Sequence, residues 1–163
     1  MKNSKGPSNT VKLIIAILIC EGTGILSGFL SNSGRGTWFD SLVKPEWNPP
    51  SYLFGPVWTF LYLLMGISLW LIWKSQAPES QKKIAMWLFA VQLFLNFWWS
   101  MIFFKFHSIG LAFAEIIMLW VLILFTIISF SKISKPAAWL LVPYIAWVSF
   151  ASILNYTIWM LNK

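Results

Sequence analysis

Five runs of almost unbroken apolar residues, at about 11–30, 52–73, 84–104, 109–130 and 136–161, alternate with polar connections along this chain. A helix needs roughly 20 mainly apolar residues to cross the hydrocarbon core of a bilayer. Each run meets that length. Strands of a membrane β-barrel would alternate polar and apolar at every second position; these runs do not. The pattern therefore predicts an all-α membrane protein, a five-transmembrane-helix bundle, with residues 11–163 as a single domain and a polar, disordered stretch over 1–10. The first run begins like a secretory signal, but it is long for one and Glu21-Gly22 interrupts its middle.

Three connections are short, so the helices they join are antiparallel neighbours. The connection over 31–51 is the long one, and it holds Trp38, Phe39, Trp47 and the prolines Pro45, Pro49 and Pro50. Proline fixes its own φ and restricts the residue before it, so this loop has a set shape and reads as a lid. Pro56 and Pro143 lie inside helical runs and predict local bends, while Gly55, Gly66 and Gly110 are places where helices can approach closely.

Composition supports the membrane reading. Hydrophobic residues make up 58% of the 163 positions and charged residues 10%, against ~25% charged in a typical soluble domain. The net charge of +7 would suggest nucleic acid in a soluble protein. Here the basic residues sit in the connections and record orientation instead. Lys2, Lys5, Lys12, Lys74, Lys82, Lys83, Lys132 and Lys135 fall on one side, and Arg35, Lys44, Lys105 and Lys163 on the other. The excess of positive charge places the N-terminus in the cytoplasm and the C-terminus outside, most simply in the cell membrane.

Twelve tryptophans are far more than such a chain needs. Trp70, Trp73, Trp87, Trp139 and Trp159 lie near the ends of runs and read as interfacial belt residues. Trp58, Trp99, Trp120 and Trp147 lie deeper and need another use. Helical spacing places Trp58 with Tyr62 on the second span, Gln92, Asn96 and Trp99 on the third, and Tyr144, Trp147, Ala151 and Asn155 on the fifth. Amides inside a bilayer face the bundle interior. Flat rings and a few polar groups from three helices, beneath an aromatic loop, suit a planar apolar ligand with polar handles.

Glu21 and Glu115 are acids within apolar runs, each either a functional group or a neutral carboxyl bonded to a neighbouring helix. His107 reads as an interfacial histidine and Cys20 as a small buried hydrophobe. No set of residues has metal-ligand or hydrolase spacing, so neither metal nor cofactor is called for.

Three ordered blocks resemble the TspO/MBR family of tryptophan-rich sensory and translocator proteins. The first is Trp38-Phe39-x-x-Leu42-x-Lys44-Pro45-x-Trp47-x-Pro49-Pro50, continuing to Phe54-Gly55-Pro56-Val57-Trp58 and Leu61-Tyr62-x-x-Met65-Gly66. The second is Gln92-Leu93-x-Leu95-Asn96-x-x-Trp99-Ser100-x-x-Phe103-Phe104. The third is Pro143-Tyr144-x-x-Trp147-x-x-Phe150-Ala151-x-x-Leu154-Asn155. The resemblance covers about residues 11–160.

It implies a five-helix membrane fold, usually a homodimer, with a cavity closed by the first loop. It also implies binding of porphyrins such as protoporphyrin IX and of isoquinoline carboxamide and benzodiazepine drugs, with a role in tetrapyrrole transport, sensing or stress regulation. Matched by motif, the cavity residues are Trp58, Tyr62, Asn96, Trp99, Tyr144, Trp147 and Ala151, with Trp38, Trp47 and Pro50 from the lid; Gln92 joins them from the stripe on the third span. Arg35 or Lys44 at the mouth would attract porphyrin propionates. The alternative reading is light- and oxygen-dependent porphyrin degradation using Trp58 and Trp147. Phe39 replaces a tyrosine common in the family. The C-terminal sterol pattern, Leu154 then Tyr156 then a basic residue, fails because Lys163 lies too far along.

Overall fold

The computed structural model describes residues 6–33 and 37–163. Its elements in chain order are α1 (Asn9–Ser31), α2 (Thr37–Ser41), α3 (Ser51–Trp73), α4 (Glu79–Ser100), a π-helical turn (Met101–Lys105), α5 (Ile109–Ser131), α6 (Lys135–Leu140) and α7 (Val142–Leu161). Five helical segments are long and apolar enough to cross a membrane: α1, α3, α4 with its π turn, α5, and α6 with α7. Large apolar side chains face outward on each, among them Leu18, Phe60, Phe94, Met118 and Ile153. The polar groups turn inward instead: Ser68, Gln92, Asn96, Glu115, Thr126 and Asn155 are buried. That inversion suits lipid as solvent, and the chain is an integral multi-pass membrane protein.

The helix ends follow local chemistry. The Ser8 hydroxyl accepts from the Val11 amide, 3.3 Å away, and starts α1 at Asn9. Order thus reaches into the stretch expected to be disordered over 1–10; residues 1–5 lie outside the described residues. Ser134 caps α6 in the same way, with Pro136 in its first turn.

The spans close a ring in the order α1, α3, α6–α7, α5, α4. Two glycines set how tightly α1 meets α3. A Cβ on Gly66 would come within 2.8 Å of the Ile17 backbone, and one on Gly24 would collide with the Tyr62 ring. Gly110 meets Trp159 in the same way, whereas Gly55 faces open space, so the expected close approach holds for Gly66 and Gly110 but not there.

The fifth span is broken at Leu141, two residues before Pro143. Below the break α6 packs on α3, with the Ser68 hydroxyl donating to the Ala137 carbonyl at 2.7 Å. Beyond it α7 leans away from α3 and touches it sparsely. This divergence at the loop end opens the cavity. Pro56 lies inside α3, which runs through it uninterrupted.

Two of the tryptophans expected in the belt meet polar groups at the N-terminal end. Trp70 donates to the Asn9 carbonyl at 2.9 Å with the Lys74 ammonium 3.6 Å from its ring centre, and Lys12 approaches Trp73. Trp87 and Trp139 are exposed on the outer surface.

Candidate cavity beneath an aromatic lid

A cavity of about 750 Å³ lies in the loop-end half of the bundle, between α1, α3, α4 and α7. That volume is within the ~300–1,000 Å³ usual for small-molecule sites. Trp58, Trp99 and Trp147 form its aromatic walls, with Phe54 from α3 and Phe103 and Phe104 from the π turn. The π turn, closed by the Phe106 amide on the Met101 carbonyl at 3.0 Å, inserts an extra residue into the helical repeat. Both adjacent phenylalanines thereby reach the cavity, and Trp99 stacks on Phe103 at 5.3 Å between ring centres.

The closed end is a hydrogen-bonded set drawn from three helices. The Tyr62 hydroxyl donates to the Asn96 side-chain oxygen. The Asn96 amide donates to the Tyr144 hydroxyl at 2.9 Å, and that hydroxyl donates to the Gln92 oxygen at 2.8 Å. Tyr62 and Asn96 line the cavity, while Gln92 and Tyr144 are fully buried behind them. Those two were expected on the wall; they instead form its backing, because the Asn96 and Tyr62 side chains stand between them and the space. Asn155 accepts from the Trp99 indole at 3.2 Å and donates to the Ile109 carbonyl at 3.0 Å, fixing the Trp99 plane.

The long connection covers the mouth. Trp38, Phe39 and Asp40 line the cavity from α2. Trp38 stacks on His107 with ring centres 4.1 Å apart and planes 15° from parallel. His107 holds a left-handed backbone conformation, φ 54°, and it too lines the mouth, a part that its reading as a plain interfacial histidine missed. At the far side the loop pairs with the C-terminal end of α7: the Val43 amide donates to the Asn162 side chain at 2.9 Å, and that side chain donates back to the Val43 carbonyl at 2.8 Å.

Two lid residues expected at the site lie off the cavity. Trp47 is half exposed and meets Phe150 edge-on at 5.9 Å, buttressing Trp147 from outside. Pro50 is exposed, where it precedes the first turn of α3. Lys44, expected to attract anionic groups, is consumed locally. Its ammonium donates to the carbonyls of Phe39 at 2.5 Å, Leu42 at 3.1 Å and Asp40 at 3.3 Å, closing the C-terminal end of α2. Arg35 lies outside the described residues.

Trp38, Trp58, Tyr62, Asn96, Trp99, Trp147 and Ala151 thus converge on one space. Trp120, also deep, does not; its indole donates to Ser149 at 2.8 Å and joins α5 to α7. Asn155, from the expected stripe on the fifth span, and Glu21 also line the cavity, as do Gly24 and Phe54, which had not been chosen for it. Among the described residues the buried Trp147 Nε1 has no hydrogen-bond partner.

The sequence profile of the TspO/MBR family matches residues 16–160. The chain is 41% identical to the tryptophan-rich protein TspO of Chlorobaculum tepidum, over 93% of this chain and 98% of that one. It is 38% identical to the translocator protein of Ovis aries, over 83% of each. It is 34% identical to the protein CrtK of Rhodobacter capsulatus, over 78% of this chain and 79% of that one.

Proposed function

We propose, since this chain belongs to the TspO/MBR family, that it captures flat apolar ligands of the porphyrin class in the cavity at the loop end of its bundle. The observation that carries this reading is the convergence of Trp58, Trp99 and Trp147 on one space of about 750 Å³, with Asn96 at its closed end and Trp38 at its mouth. Each ring stacked on or against a planar ligand adds ~0.5–1.5 kcal/mol beyond the area it buries. Ligand capture of this kind serves tetrapyrrole transport, sensing or stress regulation.

In our reading the N-terminal end faces the cytoplasm, supported by Lys12, Lys74, Lys82, Lys132 and Lys135 at that end of the spans. The mouth, on the other side, then opens away from the cytoplasm.

The test is a titration of purified protein in neutral detergent with protoporphyrin IX in the dark, following tryptophan emission. Saturable quenching beyond that of free tryptophan in the same micelles supports the reading. Quenching that rises linearly with porphyrin removes it.

A further inference from the structure

One wall group has no part in that reading. Glu21 sits near the middle of α1 and lines the cavity, one turn from Gly24 on the same face. About 16 Å of helix axis separates it from Asn32 at the mouth. The carboxyl is only partly buried, yet no described residue answers it. Among the described residues no group donates a hydrogen bond to Glu21, and the one ion pair found, Lys82 with Glu79 at 3.0 Å, lies at the start of α4.

No lysine among the described residues lines the cavity. At the loop end of the bundle Lys44 is held by the α2 carbonyls and Lys105 by the Leu30 carbonyl at 3.2 Å. Besides the phenols of Tyr52 and Tyr62, the remaining ionisable groups on the lining are Asp40 and His107, and these two stand at the mouth.

An unpartnered carboxyl at mid-bilayer depth is costly. A ligand that brings a cation or an N–H donor supplies the missing partner through a charge-assisted hydrogen bond. A ligand that brings a carboxylate to the same point sets two like charges together in a poorly screened space. We propose that Glu21 is the ligand-selecting group of this cavity, favouring flat apolar molecules that carry a protonated amine at their deep end. The inference rests on the reading of the cavity as a flat-ligand site. Ligands with acidic substituents must then enter with those groups turned toward the mouth, where water reaches them.

Three probes on one scaffold test it: 9-(aminomethyl)anthracene, anthracene-9-methanol and anthracene-9-carboxylate. Each is titrated at neutral pH in a neutral detergent, with energy transfer from tryptophan as the readout. The expected result is that the amine binds at least about tenfold tighter than the alcohol, with the carboxylate weakest. In Glu21→Gln the amine-to-alcohol ratio falls to about one, and in Asp40→Asn it is kept. Equal binding of amine and alcohol by the unaltered protein overturns the proposal without any variant. So does a preference that survives Glu21→Gln, or one that vanishes with Asp40→Asn alone. If the alcohol binds saturably in any of these cases, the flat-ligand reading stands while the Glu21 proposal falls. Absence of saturable transfer from all three probes overturns both.

Discussion

The Asn96 amide nitrogen lies 2.9 Å from the Tyr144 hydroxyl, a bond that ties α4 to α7 directly beneath the cavity. Asn96 also accepts from Tyr62 on α3, and the Tyr144 hydroxyl donates a hydrogen bond to the Gln92 oxygen. These hydrogen bonds fix the relative depth of three helices at the point where α7 leaves α3, with only the buried Gln92 side-chain nitrogen left without a partner among the described residues. The cavity floor is a consequence of those bonds.

Tyr144→Phe should therefore destabilise the bundle while leaving the lining in place. It strands the Asn96 donor and the Gln92 acceptor, at a cost of about 1–3 kcal/mol. Thermal unfolding in detergent should show a lowered midpoint, with ligand still bound by the folded fraction. An unchanged midpoint would mean that these hydrogen bonds are not needed to hold the floor.

Trp147→Phe should weaken porphyrin binding about two- to tenfold, through the lost ring area. Trp139→Phe, on the exposed face of α6, should not change it. Trp159 is a poorer control, because its ring packs against Gly110 and Phe113. Equal losses at positions 147 and 139 would indicate general destabilisation.

Porphyrin should slow backbone hydrogen exchange over residues 37–48, where Trp38 stacks on His107 and Val43 pairs with Asn162. The connection around Lys82, at the opposite end, should not respond. Closure lowers the opening frequency of the segment that closes. Equal protection at both ends would be stabilisation by mass action. Asn162→Ala should raise exchange at the Val43 amide even without ligand.

Glu115 is buried in α5, and neither carboxyl oxygen has a donor among the described residues. Replacing it by Met removes a polar group left unsatisfied in the interior, so Glu115→Met should raise the unfolding midpoint. A fall would mean that the carboxyl has a partner beyond those described.

The five spans were legible because a bilayer demands length and apolarity, and both are written directly in the runs. Tryptophan depth separated roles only in part: Trp58, Trp99 and Trp147 reached the cavity, whereas the equally deep Trp120 joins α5 to α7. Spacing gives the face of a helix but not what stands in front of it. That is why Gln92 and Tyr144 shared the right stripes yet lie behind Asn96 and Tyr62. Gly24 was invisible because its importance depends on the ring that meets it from α3. The break at Leu141 falls before the proline that marks it, and the π turn at Met101–Lys105 has no local residue signature. Lys44 carried the right charge, but three nearby carbonyls took it.

The central claim, that a flat ligand occupies the space walled by Trp58, Trp99 and Trp147, is tested most directly by filling that space. Ala151 is buried on α7 and lines the cavity, whereas Ala146 on the same helix is exposed on its outer face. Protoporphyrin IX should be titrated in the dark against Ala151→Phe and Ala146→Phe, each verified as folded by its unfolding midpoint. The account predicts that Ala151→Phe abolishes saturable tryptophan quenching and that Ala146→Phe binds as the unaltered protein does. Undiminished saturable quenching by a folded Ala151→Phe protein would contradict it, and would place the ligand somewhere other than this cavity.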